Sequence, residues 1–491
     1  MMSSSFYLRN EKDNKLDYIF HPESVAIIGA SESDFSFTQP LLKSKIKEKL
    51  FLVNPKRKKI FDVKCYSSIL DVEVKVDYAI IAVPAPIVPL VLKECISKGV
   101  KVAHIFSSGF SETGIKERIE LENEIKEMAK GKIRLLGPNC MGVYCPESGL
   151  TFSDEVSFEE GPVALVSQSG TFAVDLLAIG SALNIKFSKV VSYGNAVDLD
   201  CPDFLDYFTD DPKTKIVALY IEGTKNGRRL KSSLEKLAKQ KPVVALKGGI
   251  TEHGSRAASS HTGAMAGSPE IWTTLFKQLG VIHVETFNEM IDIILALLYS
   301  PLPQGENISI ITFSGGFSVI ETDWCVKLGL NVPQFTDKTI KKLRNLVPIA
   351  GTSVKNPLDA WPLFESEVLP EAVKVVGLDK NIDLLILHLD SRFLKRHWIT
   401  AAKESFKKFI KNLLASCNYV RDKHRKPIMI CNYPPPTLER EATEYYLEVL
   451  KVFRKNNYPV YPSIERAAKS IYNLCRYRDM KYKQSSHRCS T

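Results

Sequence analysis

The stretch SVAIIGAS at residues 24–31 is a short apolar run that ends in a glycine turn, and it sets the pattern for the N-terminal part of the chain. Four more apolar runs follow, and they end in Gly, Pro, Ser or Asn: LFLVNPK at 50–56, DYAIIAVPA at 77–85, VKVAHIFSSGF at 100–110 and IRLLGPNCMGV at 133–143. Amphipathic segments separate these runs, and this alternation is typical of βαβ units on a parallel sheet. We therefore predict an α/β fold that begins with a Rossmann-like domain over residues 15–147.

Two later segments resemble each other, since each has a buried strand, a turn of serine and glycine, and then a helix. They are GPVALVSQSG at 161–170 and NISIITFSGG at 307–316. An acidic turn follows each of them, VDLDCPD at 197–203 and NPLDAWP at 356–362. This weak internal duplication predicts two flavodoxin-like parallel-sheet domains, at 158–300 and 305–470. We assign residues 471–491 to a basic tail, and we predict that its last part, RYRDMKYKQSSHRCST at 476–491, is mobile because it is basic and lacks an apolar stripe.

Bulk composition excludes several classes of protein. The chain has 491 residues, of which 44% are hydrophobic and 25% charged, as in ordinary soluble proteins. Its formal charge of +10 is spread along the chain, which favours a phosphate-bearing small ligand over nucleic acid. The ten cysteines include no CxxC pair, and no window approaches a membrane span of ~18 apolar residues. We expect a reduced cytoplasmic protein without a metal site of its own.

The ligand of the first domain should lie beyond the carboxyl ends of its strands, as in other doubly wound sheets. The turn after 24–31 lacks the later glycines of a dinucleotide fingerprint. The second strand ends in Asn54, Pro55, Lys56 and Arg57, where an NAD ribose would need an acidic residue. A basic end suits the 3′-phosphate of coenzyme A. A Rossmann domain that binds nothing is the alternative.

The segment KGGITEHGSRAASSHTGAMAG at 247–267 is the most informative part of the chain. Its residues 248–267, which we call the histidine loop, are small and polar, and they suit a loop that approaches a phosphate closely. His261 stands in the middle of this loop and has no apolar face to serve, so we predict that it carries a phosphoryl group. His253 in the same loop is the competing candidate.

A phosphorylated imidazole needs a carboxylate on its other ring nitrogen and donors for its phosphate. We expect Glu222, at the end of the predicted strand KIVALYIEG, to be that carboxylate. Helix N-termini supply phosphate donors, because their backbone N–H groups are unpaired. The sequence offers two such ends, Ser167, Gln168, Ser169 and Gly170 and then Ser314, Gly315 and Gly316. Together they describe a phosphohistidine clamped between two helix ends.

These segments resemble the succinyl-CoA synthetase superfamily, and most closely the α subunits of ADP-forming acetyl-CoA synthetases, over roughly residues 15–470. Nine segments in this order carry the resemblance: GAS at 29–31, NPK at 54–56, VPA at 83–85, SSGFSE at 107–112, GPNCMG at 137–142, SQSG at 167–170, GNAVDLD at 194–200, YIEG at 220–223 and SHTGAMAG at 260–267.

The resemblance implies a role for each group of residues. Coenzyme A would be bound by Gly29, Ala30, Ser31, Asn54, Pro55, Lys56, Val83, Pro84, Ser107, Gly109 and Asn139. Phosphate would be bound by Ser167, Ser169, Gly170, Gly263, Gly315 and Gly316. His261 would be phosphorylated transiently, and Glu222 would steady it.

The resemblance also implies a reaction, in which acyl-CoA, ADP and phosphate become a carboxylic acid, CoA and ATP through an acyl phosphate and a phosphohistidine. No ATP-grasp segment follows the third domain, so ADP or ATP and Mg²⁺ should bind a separate β subunit in an α2β2 heterotetramer. Glu32, Asp34 and Phe35 depart from the family in the first turn, which leaves open a CoA-binding regulatory or scaffold protein without turnover. The Rossmann pattern alone would permit an NAD-dependent dehydrogenase, although Lys56 argues against it.

Overall fold

The computed structural model describes residues 16–256, 268–364, 368–390, 403–435 and 440–488. The chain divides into two compact units, Met1–Phe287 and Asn288–Thr491. The first unit holds two sheets and the second unit holds one, and all three are mostly parallel. The predicted α/β fold, a Rossmann-like domain followed by flavodoxin-like domains, is therefore confirmed. The exact domain limits stay a prediction.

The first sheet has seven strands. They are β1 (Val25–Ile28), β2 (Leu50–Val53), β3 (Lys59–Ile60), β4 (Val63–Tyr66), β5 (Tyr78–Ile81), β6 (Val102–Ile105) and β7 (Arg134–Leu136). Their order is β3-β4-β2-β1-β5-β6-β7, so the chain leaves β1 in one direction and returns to its other side at β5. Ligands of such sheets bind at this reversal. The helices are Asp17–Phe20, Thr38–Lys43, Val88–Lys98 and Lys116–Ala129.

The second sheet has six strands. They are β8 (Gly142–Tyr144), β9 (Val163–Ser167), β10 (Phe187–Ser192), β11 (Ile216–Ile221), β12 (Val243–Lys247) and β13 (Ile282–Val284). Their order is β13-β12-β11-β9-β10-β8, with β8 as an antiparallel edge. β8 falls inside the predicted limits of the first domain, yet it pairs with the second sheet. The helices are Gly170–Ala182, Cys201–Asp210, Gly227–Gln240 and Pro269–Leu279.

The third sheet has five strands in the order β15-β14-β16-β17-β18. They are β14 (Ile308–Thr312), β15 (Leu358–Asp359), β16 (Leu384–Asp390), β17 (Ile428–Tyr433) and β18 (Val460–Tyr461). The helices from Phe287 onward are Phe287–Tyr299, Gly315–Lys327, Asp337–Arg344, Trp361–Phe364, Leu369–Gly377, Lys403–Asn418, Arg440–Lys455 and Ile464–Arg488. β9 and β14 both lie inside their sheets and both lead into a glycine-started helix, as the duplicated openings predict.

The predicted basic tail at 471–491 starts inside a helix that packs on the core. The last helix runs from Ile464 to Arg488 and packs a stripe of buried residues against the third sheet. That stripe consists of Ile464, Ala467, Ala468, Ile471, Leu474 and Cys475. These residues recur at three- and four-residue spacing, as on one face of a helix. The prediction failed because it began the tail inside this stripe and counted only the basic residues of its outer face.

His21 anchors the N-terminal helix to the loop after β8. Its Nδ1 lies 3.0 Å from Oδ1 of Asp17 and its Nε2 lies 3.0 Å from Oε2 of Glu147. Burial lowers the pKa of His21, but hydrogen bonds to Asp17 and Cys145 outweigh it and raise the pKa to about 10.

Within the described ranges, no helix is both long and apolar enough to cross a membrane.

Candidate active site

All eleven residues predicted to bind coenzyme A follow the carboxyl ends of strands in the first sheet. Gly29, Ala30 and Ser31 follow β1; Asn54, Pro55 and Lys56 follow β2; Val83 and Pro84 follow β5; Ser107 and Gly109 follow β6; and Asn139 follows β7. The carboxyl ends of neighbouring parallel strands meet at one edge of a sheet, so the fold brings these residues to a common edge.

The turn after β1 is tightly packed against its neighbours. Gly29 has a φ of +96°, and its N–H donates to the carbonyl of Val53 over 2.9 Å. A Cβ at this position would lie 2.4 Å from the carbonyl oxygen of Ala82, so only glycine fits. The Asn54 side-chain amide donates to the carbonyl of Ala30 over 2.9 Å. These contacts join the ends of β1, β2 and β5.

A second set of contacts joins the loops after β5, β6 and β7. The hydroxyl of Ser107 donates to the carbonyl of Val83, and the N–H of Asn139 donates to the carbonyl of Ser107 over 3.0 Å. Gly109 has a φ of +99°, and its N–H donates to the carboxylate of Glu112 over 2.6 Å. The predicted CoA residues thus form one connected rim.

Asp34, one of the departures in the first turn, has a structural role. Its carboxylate accepts hydrogen bonds from the N–H groups of Ser36, Phe37 and Thr38 over 3.0, 3.1 and 2.8 Å. It therefore holds the turn that leads into the helix beginning at Thr38. Phe35 beside it is 72% exposed, so it packs against little of the chain.

The first predicted phosphate site is the turn between β9 and its helix. The hydroxyl of Ser167 donates to the carbonyl of Ser169 over 2.7 Å, and the Ser169 hydroxyl accepts from the N–H of Phe172 over 3.3 Å. The helix begins at Gly170, where a Cβ would lie 3.0 Å from Cγ of Met141. The N-terminal N–H groups of this helix are the kind of donor that binds an anion.

The structure brings Glu222 next to this turn. Glu222 is 6% exposed, and its backbone N–H and that of Gly223 donate to Oε1 of Gln168 over 2.8 and 3.1 Å. The Tyr220 hydroxyl donates to Oε1 of Glu222 over 3.0 Å. Burial, reinforced by the charge of Glu222, raises the pKa of Tyr220, so the hydroxyl stays protonated as a donor. Sequence reasoning gave neither Gln168 nor Tyr220 this role.

Lys247 is a further residue that sequence reasoning missed. It is the last residue of β12 and is 4% exposed, and its Nζ donates to the carbonyl of Glu222 over 2.8 Å. The sequence did contain a signal for this residue, because a lysine ends an otherwise apolar strand directly before the glycines of the histidine loop.

A pocket of ≈ 170 Å³ lies between the predicted CoA rim and the β9 turn. It is lined by Phe106, Asn139, Cys140, Met141, Gln168, Ser169, Gly170, Thr171, Gly194 and Asn195. The side-chain amide of Asn195 donates to Glu112 over 2.7 Å and to Glu122 over 2.9 Å, which orients it. Amides and a helix N-terminus supply polar groups, while Phe106 and Met141 supply apolar surface. This combination suits a small molecule with an anionic end and a short apolar end.

The second predicted phosphate site is the N-terminus of the helix Gly315–Lys327. Gly315 and Gly316 form its first turn and are exposed, and the Ser314 side chain makes no capping hydrogen bond. This turn belongs to the second unit, and the clamp between the two helix ends stays a prediction.

His261 and Gly263 lie outside the described residues, as does the whole second half of the histidine loop. The competing candidate His253 is described and exposed, and its Nδ1 lies 2.6 Å from a guanidinium nitrogen of Arg256. The phosphorylated residue therefore stays a prediction.

Two family models match the chain. A CoA binding domain matches residues 23–146, and a succinyl-CoA ligase like flavodoxin domain matches residues 160–297. The α subunit of acetate–CoA ligase (ADP-forming) I from Pyrococcus furiosus is 34% identical over 484 residues, which cover 95% of this chain and 99% of the relative. The chain belongs to the family of ADP-forming acetate–CoA ligases.

Other members of the ADP-forming acetate–CoA ligase family are longer. The acetate–CoA ligase (ADP-forming) of Methanocaldococcus jannaschii is 46% identical over 354 residues, which cover 71% of this chain but 49% of the relative. The chain thus matches about half the length of that protein. Among solved structures, the dinucleotide-forming acetyl-coenzyme A synthetase 1 of Ca. Korarchaeum cryptofilum, in complex with phosphate and ADP, aligns with a TM-score of 0.78 and 28% identity. That alignment covers 96% of this chain and 98% of the other.

Proposed function

We propose that this chain is the α subunit of an ADP-forming acyl-CoA synthetase that uses His261 as its phosphate carrier. The observation that carries the proposal is the link through Gln168, which joins the turn before the Gly170 helix directly to Glu222. This link lies beside a pocket that also contacts Asn139 of the CoA rim. One connected site would therefore offer a CoA rim, a phosphate-binding helix end and a carboxylate for a histidine.

The proposed reaction has three steps. An oxygen of inorganic phosphate attacks the thioester carbonyl, the C–S bond breaks, and CoA leaves as a thiolate that takes up a proton. An imidazole nitrogen of His261 then attacks phosphorus, and the P–O bond to the acyl group breaks with release of the carboxylate. Finally the phosphoryl group passes from nitrogen to a terminal oxygen of ADP. Each step runs in either direction.

The chain's own residues would hold and orient the reactants. The helix that begins at Gly170 offers backbone N–H groups to the phosphate oxygens. Glu222 would accept a hydrogen bond from the protonated nitrogen of the imidazole, so that the other nitrogen is the nucleophile. The hydroxyl of Tyr220 donates to Oε1 of Glu222 and would orient this carboxylate towards the imidazole. Phe106 and Met141 would contact the acyl group.

ADP or ATP and Mg²⁺ would bind a separate ATP-grasp β subunit, in an α2β2 heterotetramer that works in the cytoplasm. Two observations support a separate subunit. The Pyrococcus relative that matches nearly end to end is named a subunit alpha. The Methanocaldococcus relative has about as much chain again beyond the matched part.

The test is to incubate the purified chain with acetyl phosphate that carries a radiolabelled phosphoryl group. We expect label that survives base, is lost in acid and is absent from the His261→Ala variant. The His253→Ala variant is the matched control and should label normally. Label that persists in His261→Ala would refute the assignment of the carrier. Coenzyme A binding by calorimetry without any labelling would favour the regulatory or scaffold protein instead.

A further inference from the structure

Lys247 is a buried lysine whose ammonium group contacts the carboxyl ends of two neighbouring strands. Its Nζ donates to the carbonyl of Glu222, just beyond β11, over 2.8 Å and also to the carbonyl of Gly248, just beyond β12. The ring centroid of Trp272 lies 5.2 Å from the same nitrogen. A buried cation needs such partners, because leaving water is costly for a charge.

The contacts of Lys247 connect Glu222 to the first residue of the histidine loop. In the sheet, Lys247 is the register partner of Ile221, the residue before Glu222. Gly248 packs directly against the glutamate, since a Cβ there would lie 2.7 Å from the Tyr220 hydroxyl and 3.3 Å from Cγ of Glu222. The loop therefore starts beside the side chain of Glu222, the residue that we assign to the phosphohistidine.

We propose that Lys247 is a positioning residue for phosphoryl transfer, which clamps the ends of β11 and β12 so that Glu222 and the start of the histidine loop keep their separation. This inference rests on the proposed function, because it assigns Lys247 a task at the same site. Charge-assisted bonds from an ammonium to carbonyl oxygens are stronger than neutral ones, so the clamp is strongest while Lys247 is protonated.

The proton on Lys247 is within reach of ordinary working conditions. Burial lowers the pKa of this ammonium to about 8, against the opposing attraction of Glu222. Within the described part of the chain, Glu222 is the charged group that acts on the ammonium, and the other groups facing it are the Gly248 carbonyl and the Trp272 ring. Phosphoryl transfer should therefore weaken as the pH rises through about 8.

The experiment measures the initial rate of labelling from radiolabelled acetyl phosphate between about pH 6 and pH 10, a range that brackets the lysine's titration. Lys247→Met removes the charge and keeps a long unbranched side chain, and it should lower the rate by about 10²-fold, the effect of a small misplacement of reacting groups. Lys247→Arg keeps a charge that does not titrate in this range, so the fall above pH 8 should disappear.

The matched control is Lys241→Met. Lys241 donates to the carbonyls of Phe208 and Asp211 near the amino-terminal end of the same strand, far along β12 from Glu222. This variant should keep the wild-type rate and pH profile. If the wild-type chain is never labelled, the proposed function itself is refuted. Labelling of Lys247→Met at the wild-type rate, or an unchanged fall above pH 8 in Lys247→Arg, overturns the role of Lys247.

A second variant tests the same contact if the lysine variants do not fold. Gly248→Ala introduces a Cβ into contact with Tyr220 and Glu222 while it leaves the Lys247 ammonium in place. It should slow labelling, whereas Gly227→Ala, where a Cβ meets nothing within 4 Å, should not. Equal rates for Gly248→Ala and wild type overturn the proposal.

Discussion

Replacing Gln168 by Leu should lower the local stability of the backbone around Glu222, and the structure gives the size of this loss. The side-chain oxygen of Gln168 accepts two hydrogen bonds, from the N–H groups of Glu222 and Gly223, and all three residues are buried. Leucine has a similar volume but no acceptor, so both N–H groups lose their partner. Each unsatisfied buried group costs about 1–3 kcal/mol, so the local penalty is about 2–6 kcal/mol.

Hydrogen exchange followed by mass spectrometry measures this penalty where it arises. A loss of about 2 kcal/mol in local stability, the lower end of this range, corresponds to about 30-fold faster exchange, so the amides of Glu222 and Gly223 should accelerate by at least about 30-fold in Gln168→Leu. Gln168→Glu keeps an oxygen acceptor at the same place and is the matched control. A peptide from β10, Phe187–Ser192, serves as the internal reference.

Phosphoenzyme formation should fall in parallel with the faster exchange, because Glu222 would no longer be held beside the Gly170 helix. Exchange at Glu222 and Gly223 that stays within about twofold of wild type in Gln168→Leu would show that these hydrogen bonds do not stabilise the segment. The link that carries the proposed function would then fail as well.

Three further substitutions test other parts of the chain. Gly29→Ala would put a Cβ 2.4 Å from the carbonyl oxygen of Ala82. Calorimetry should therefore give at least about tenfold weaker CoA binding, a loss of about 1.4 kcal/mol, and an unchanged Kd would contradict the placement of the CoA rim. His21→Ala should lower the free energy of unfolding, measured by urea denaturation, by about 1.5–3 kcal/mol below pH 6.5. This difference should shrink as the pH rises towards 10, because the raised pKa of His21 makes its stabilising proton leave there, and a pH-independent difference would refute the prediction. Met141→Ala should enlarge the acyl end of the pocket and raise the kcat/KM of propionate relative to acetate by about 10- to 200-fold. Met128→Ala, outside the pocket, should leave that ratio unchanged. An unchanged ratio in both variants would exclude Met141 as an acyl contact.

The sequence predicted local features well where the evidence for them is itself local. The strand ends near Gly29, Asn54 and Pro84 were recognisable because apolar runs stop there at glycine, asparagine and proline. The tail was misjudged because its basic residues are conspicuous, whereas the apolar stripe that includes Ile471 and Leu474 becomes evident only at helical spacing. Asp34 seemed a departure from a glycine turn, and its hydrogen bonds to the N–H groups of Ser36, Phe37 and Thr38 show why an acidic residue suits this position.

The sequence by itself determined the class of fold, the family and the residue types of the site, because alternation, turn chemistry and short motifs are all readable along the chain. Only the tertiary structure decided which side chains hold Glu222. Gln168, Tyr220 and Lys247 come from three different strands or strand ends, and they meet because β11 pairs with β9 on one side and with β12 on the other. Pairing register is a long-range property, and no local pattern specifies which residues of three separate strands will share one edge.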